Sequence, residues 1–301
     1  MAYTYLVPSD TARILTTHAE NCQNLALIFG RYIPHEAIED KYVDNDKKKP
    51  KVVNQWLENT LERFTGDYFK KQIGYQAYKQ RWFALTEGSA RFQTNLRGRM
   101  VVGLGGKNPL EFGITLDRLT GLPYIPGSAL KGLARSYALL TIYADAKRRG
   151  IEEPLDKFEE KIMQGEYQSE LLVKHFYDAF GTTENAGSCI FYHAIPIFKK
   201  DDTIPIFVLD VMTPHFADYY TDQRKMTAPS DDLQPVPITY VCVREGLSFD
   251  FAIGLRTRTS FLNLDVHEQA WNWLQSGLTE MGIGAKTAQG YGVFARIETD
   301  K

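Results

Sequence analysis

The densest chemical signal in the chain lies near its C-terminus: Gly282-Ile283-Gly284-Ala285-Lys286-Thr287-Ala288-Gln289-Gly290-Tyr291-Gly292. Glycine tolerates positive φ and lets a phosphate or another backbone approach closely. Successive unpaired N–H groups beside a lysine cradle an anion. The spacing excludes the common mononucleotide loops. A Walker A loop needs Gly followed directly by Lys and then Ser or Thr, but Ala285 separates Gly284 from Lys286. A dinucleotide fingerprint needs a third glycine three residues after the second, and position 287 is Thr. The loop points instead to a polymer's phosphate backbone, with Lys286 among its exposed N–H groups.

A second basic motif reads Ile125-Pro126-Gly127-Ser128-Ala129-Leu130-Lys131-Gly132. The Pro-Gly turn and Ser128 predict a helix capped by Ser128. Lys131 then falls in its first turn, where free N–H groups and a basic side chain hold a phosphate together. Arg135 follows one turn later. Between Arg81 and Arg135 the basic residues exceed the acidic ones by 5, although the whole chain carries −2. Within that segment Arg91 to Leu104 alternates: Phe92, Thr94, Leu96, Met100, Val102 and Leu104 share one face, while Arg91, Gln93, Asn95, Arg97 and Arg99 share the other. That is the pattern of a strand whose polar side faces a partner or solvent, with Arg97 and Arg99 added to the candidate contacts.

The elements that must position these residues follow from periodicity. A helix is expected over 9–30, with Ile14, Leu15, His18, Cys22, Leu25 and Phe29 as its stripe, and helical structure over 52–85. After the Pro-Gly-Ser helix come further helix at 155–180, then strands at 189–198, 206–212, 238–243 and 247–257. A helix over 266–281, capped by Asn263 or Asp265, precedes the glycine loop, and a last strand covers 293–297. The order predicts an α+β fold: a ferredoxin-like (RRM-like) βαββαβ core with inserted hairpins and an N-terminal helical extension. Residues 1–90 form the helical region packed on the core, and 91–301 the core domain. Cys22, Cys189 and Cys242 lack the spacing of a disulfide framework or a zinc site. No apolar run reaches membrane-spanning length and the start lacks a signal peptide, so a cytoplasmic protein is expected.

These residues carry a resemblance. The loop Gly282–Gly292 matches, in every glycine, the G-h-G-x5-G-h-G loop of the RAMP superfamily of CRISPR-associated proteins, and Ile125 to Gly132 looks like that superfamily's helix-start motif. Gly103-Leu104-Gly105, Glu111 to Leu116, Phe180-Gly181-Thr182 and Asp210 to Phe216 with Tyr219-Tyr220 narrow it to the family of sixth subunits of Cmr (type III-B) effector complexes. The resemblance runs from about Arg91 to Ile297. It implies a non-catalytic subunit in contact with a CRISPR guide RNA and target RNA, through Lys131, Arg135 and the loop residues Gly282, Gly284, Lys286, Thr287, Gln289, Gly290 and Gly292. No cofactor is expected, and without HExxH or paired Cys or His at ligand spacing no metal is expected either. Its neighbours would be other Cmr subunits: a repeating backbone subunit, the first subunit and a small helical subunit. It would hold the guide's 3′ portion and cap the backbone filament in antiviral defence. Contacts to phosphate and ribose suit guides of any sequence, with specificity left to base pairing. The stretch 221–237, polar and turn-rich, is expected to protrude as a thumb.

The alternative is a metal-independent endoribonuclease, since the superfamily includes enzymes that process guide precursors. Such an enzyme needs a histidine as general acid or base. Of His18, His35, His175, His193, His215 and His267, His215 stands out, preceded by Pro214 and followed by Tyr219 and Tyr220. We expect it to contact RNA. His18 and His193 are expected to pack, and His267 to lie in a first helical turn. A third possibility is a filament cap that touches RNA little; its binding would lack the steep salt dependence of phosphate contacts.

Overall fold

The computed structural model describes residues 3–39, 52–106, 108–110, 112–167, 170–213, 237–256 and 262–296. Its N-terminal helices are α1 (Ser9–His18), α2 (Leu25–Arg31), α3 (His35–Glu39), α4 (Val52–Leu61), α5 (Gly66–Lys71) and α6 (Ile73–Leu85). There follow β1 (Ala90–Asn95), α7 (Gly127–Arg148), α8 (Leu155–Met163), α9 (Leu171–Phe180), β2 (Cys189–Phe191) and β3 (Ile195–Ile197). β4 (Phe207–Met212), β5 (Ile238–Val243), β6 (Ser248–Leu255) and α10 (Leu262–Glu280) follow among the described residues, an α+β arrangement.

Local capping breaks the long helices expected from periodicity. Asn24 accepts the Leu27 N–H at 3.1 Å and starts α2 afresh after a 3₁₀ turn at Ala19–Asn21. The stripe therefore does not continue: Ile14 is 57% exposed and His18 is exposed, outside the core expected for both. Thr65 accepts from the Tyr68 N–H at 3.0 Å and starts α5, and Gly165, at φ +89°, follows the end of α8. Ser128 is not the cap of α7. The Pro126 carbonyl already accepts from Ala129 and Leu130 at 3.0 and 3.1 Å, so the helix begins at Gly127 and Lys131 lies in its second turn. α10 likewise begins at Leu262, which puts Asn263 and Asp265 inside its first turn.

β6 is the central strand. β1 pairs antiparallel on one side, from Ala90↔Ile253 to Asn95↔Ser248. On the other side β2 and β3 lie end to end, Cys189↔Leu255 and Ile197↔Ser248. The strand expected at 189–198 is thus interrupted; Ala194 pairs instead with Ile125, and Pro196 brings no N–H to the edge. Of the expected last strand, the described residues 293–296 make a single bridge, Leu96↔Phe294, flanked by the Ala295 N–H bond to Asn95 O and the Arg97 N–H bond to Val293 O. β4 and β5 form a separate antiparallel pair, attached through the bridge Met100↔Val243.

Both faces of the sheet are covered, which accounts for the nearly continuous burial along β6. On one face Phe92 stacks on Phe251 with ring centroids 4.8 Å apart and meets Trp271 of α10 edge-on at 4.5 Å. On the other, Trp82 of α6 is buried against Ile195 and Ala252. Its indole N–H donates to the His193 carbonyl at 2.7 Å. The polar side of β1 is therefore not open throughout: the Arg91 guanidinium lies over the Phe83 ring of α6, 5.1 Å from its centroid. One buried cluster extends from Leu25 to Phe294.

Asp250 lies on the α6 side of β6, where burial pushes its carboxyl up to about 6 despite Lys79 and Arg91. A raised carboxyl pKa means the native state binds its proton more tightly than the unfolded chain. Its contribution is present at acid pH and is lost as pH rises from about 4 through 6. Asp250→Asn should raise stability by ~1–2 kcal/mol at pH 7.5 and flatten the pH dependence of the melting temperature across that window.

Candidate functional site

The glycine loop leaves α10 through Gly282, whose N–H donates back to the Gly277 carbonyl at 3.0 Å. It then lies against the segment after β1. Ala285 N–H donates to Val101 O at 2.9 Å, Gly292 N–H to Arg99 O at 2.8 Å, and Arg97 N–H to Val293 O at 2.9 Å. Gly292 sits at φ +67°, and a Cβ there would stand 1.9 Å from the Ile283 carbonyl oxygen, so no side chain fits. Thr287–Gln289 make a 3₁₀ turn whose tip, Ala288 to Gly290, is exposed. Among the described residues, the N–H groups of Gly284, Lys286, Thr287 and Ala288 have no hydrogen-bond partner.

Lys286 adopts φ +62°, uncommon outside glycine. Its ammonium lies 4.7 Å from the Tyr240 ring centroid and 5.5 Å from that of Tyr291, and donates to the Tyr240 hydroxyl at 3.0 Å. The Tyr240 hydroxyl donates to that of Tyr291 at 2.9 Å, and Tyr291 donates to Asp210 Oδ2. The same oxygen receives Arg99 Nη1. Burial disfavours ionisation of Asp210, but the hydrogen bonds from Tyr291, Arg99 and the Val211 N–H outweigh it and hold the carboxyl below its ordinary value. The bond to Asp210 raises the Arg99 pKa in turn. Burial, then the bond with Tyr291, pushes the Tyr240 phenol well up. The site is a cationic, hydrogen-bonded ledge whose donors outnumber its acceptors.

The RAMP superfamily model matches residues 95–295, two-thirds of the sequence and the whole of this ledge. The chain belongs to the RAMP superfamily. Among curated proteins, it is 28% identical to the CRISPR system Cmr subunit Cmr6 of Pyrococcus furiosus, over 93% of this chain and 96% of that one. It is 26% identical to the CMR subunit Cmr6 of Saccharolobus solfataricus, over 85% of this chain and 75% of that one. Among solved structures, a chain of the type III-B Cmr-beta complex bound to cognate target RNA aligns with a TM-score of 0.51. That alignment has 20% identity and covers 87% of this chain and 80% of the other, a likeness of fold.

Within this RAMP chain the expected contacts separate into groups. The loop, Arg97 and Arg99 come together as described, and Arg97 is exposed without a side-chain partner among the described residues. Lys131 is half-buried in α7, near the Cys189 thiol, which burial pushes up to about 11. Arg135 is committed elsewhere: it pairs with Glu159 at 3.0 Å and lies over the Phe176 ring, 5.3 Å from its centroid. α7 does meet α10 close to the loop, since the Tyr137 hydroxyl donates to Glu280 at 2.9 Å, but no described interaction joins Lys131 to Lys286. His215 and nearly all of the expected thumb over 221–237 lie outside the described residues. His193 lies between β2 and β3 rather than in a strand, its ring near Tyr78 and Tyr124. His267, in the second turn of α10, donates to the Ile253 carbonyl at 2.9 Å.

Sequence reasoning missed Asp210, Tyr240 and Tyr291 as parts of the ledge. Tyr291 stands between two loop glycines and Asp210 opens one of the family-like motifs, so their positions were visible. Their convergence, across separations of 51 and 81 residues, was not. No helix among the described residues is long and apolar enough to cross a membrane.

Proposed function

We propose that this chain is a non-catalytic, RNA-binding structural subunit of a type III-B CRISPR (Cmr) effector complex in the cytoplasm. It holds the 3′ portion of the guide RNA through backbone contacts and caps the subunit filament. The observation that carries this reading is the loop itself: N–H groups of Gly284, Lys286, Thr287 and Ala288 unpaired among the described residues, on a loop that also carries the Lys286 ammonium and lies against the Arg97–Arg99 segment. Such donors suit phosphate and ribose oxygens, which fix register without reading bases. Curated Cmr6 relatives and the fold shared with a target-RNA-bound Cmr complex support the assignment.

In this reading the core is ferredoxin-like. β1, α7, β2 with β3, β6, α10 and the segment at Phe294 follow in βαββαβ order, with that last segment beside β1. RNA-recognition modules of this architecture stack bases on an open sheet face. Here α6 covers that face through Trp82, which leaves the loop end for RNA. Residues 1–90 then act as a roof on the 91–301 domain.

The test is salt-dependent retention of guide RNA by assembled complexes carrying Arg97→Ala with Lys286→Ala. Each lost phosphate contact should lower the slope of log affinity against log salt by about 0.7. An unchanged slope would leave only a protein cap. Metal-free cleavage of repeat RNA by the chain, abolished in His215→Ala, would instead establish the endoribonuclease.

A further inference from the structure

The side chains around the loop already bind one anion, and it is the protein's own. Two donors from different parts of the fold, Arg99 Nη1 and the Tyr291 hydroxyl, converge on a single oxygen, Asp210 Oδ2. A second positive group reaches the same oxygen through a relay: Lys286 to Tyr240 at 3.0 Å, Tyr240 to Tyr291 at 2.9 Å, then Tyr291 to Asp210. The other carboxylate oxygen accepts from the Val211 N–H at 2.7 Å. Asp210 comes from β4, a strand outside the main sheet, whereas Tyr291 and Lys286 belong to the loop and Arg99 to the segment after β1. The Arg99 side chain is 47% exposed and that of Asp210 20%, so the guanidinium remains open to a second anion while the carboxylate is mostly enclosed.

We propose that Arg99, Tyr291 and Lys286 form a subsite for one phosphodiester, and that Asp210 is its internal competitor, a built-in anion that RNA must displace. The inference rests on the RNA-binding reading of the loop and names the residues that set its affinity. A carboxylate and a phosphodiester present similar oxygens to a guanidinium, and both take charge-assisted hydrogen bonds. A phosphate arriving at Arg99 therefore meets donors already oriented, but also a negative charge that repels it and holds the arginine. Displacement frees Asp210 of β4 from the loop, while Tyr240 of β5 and the bridge Met100↔Val243 still hold the β4–β5 pair. The chain thus trades affinity at this position for a contact that reports whether the RNA is seated.

The experiment is a salt titration of a fluorescently labelled oligouridylate against the purified full chain, with melting temperature recorded for every variant. Asp210→Asn keeps an acceptor for Tyr291 but removes the competing charge. It should tighten binding by roughly 3- to 10-fold and steepen the salt slope by about 0.7, as one further cation becomes available to phosphate. Tyr291→Phe removes a neutral donor and should weaken binding with no change of slope; it carries the test should Asp210→Asn fail to fold. If Asp210→Asn binds as the parent or more weakly, or Tyr291→Phe binds as the parent, while Arg97→Ala still weakens binding, the internal-competitor idea is overturned and the RNA-binding reading stands. If Arg97→Ala and Lys286→Ala also bind as the parent, both fall.

Discussion

Gly292→Ala should destabilise the protein by ~3–5 kcal/mol, seen as a fall of roughly 6–15 °C in melting temperature. Two costs add. The residue holds φ +67°, which an L side chain adopts at a penalty of ~1–2 kcal/mol. The new Cβ would also stand 1.9 Å from the Ile283 carbonyl oxygen, a backbone atom that cannot rotate away. Relief requires breaking the Ile283 N–H bond to Gly292 O, which closes the loop on itself, or the Gly292 N–H bond to Arg99 O, which clips it to the segment after β1. Gly290→Ala separates the two costs. Gly290 has φ +86°, but an added methyl would meet nothing within 4 Å, so it should lose only ~1–2 kcal/mol. Equal losses at both positions would show that torsion, not the close backbone approach, dictates the loop.

Trp82→Ala should cost ~3–5 kcal/mol and expose α6 to limited proteolysis. The indole is 2% exposed and anchors a cluster with Ile195 and Ala252, on the sheet face away from α10. Its removal leaves a cavity on a central strand and strips the His193 carbonyl of its donor. Cleavage within 73–85 at protease levels that spare the parent is the expected signature. A loss below ~1 kcal/mol would mean that α6 lies on the sheet without helping to hold it.

The loop was legible in the sequence because its constraint is local: a backbone that must cross itself closely demands glycine at fixed spacing, and Gly292 is there for that reason. The alternation of Phe92, Thr94 and Leu96 was legible for the same kind of reason, a two-residue period with one face buried. Legibility failed where a neighbour decided. His18 stays exposed because Asn24 caps a new helix rather than extending the old one. Ser128 lost its capping role to the Pro126 carbonyl two residues earlier. The strand expected after the loop shows as one bridge at Phe294, opposite Leu96 just beyond the end of β1. Asp210, Tyr240 and Tyr291 each showed a residue type suited to binding, but only folding brings them into one hydrogen-bonded chain.

The outer border of the sheet has its own consequence. β2 and β3 are three residues each, separated where Ala194 turns to Ile125, and Pro196 offers no hydrogen there. Such a seam gives an incoming strand no continuous template. At this border copies of the chain are therefore poorly suited to zip together, and growth by strand addition there would stop.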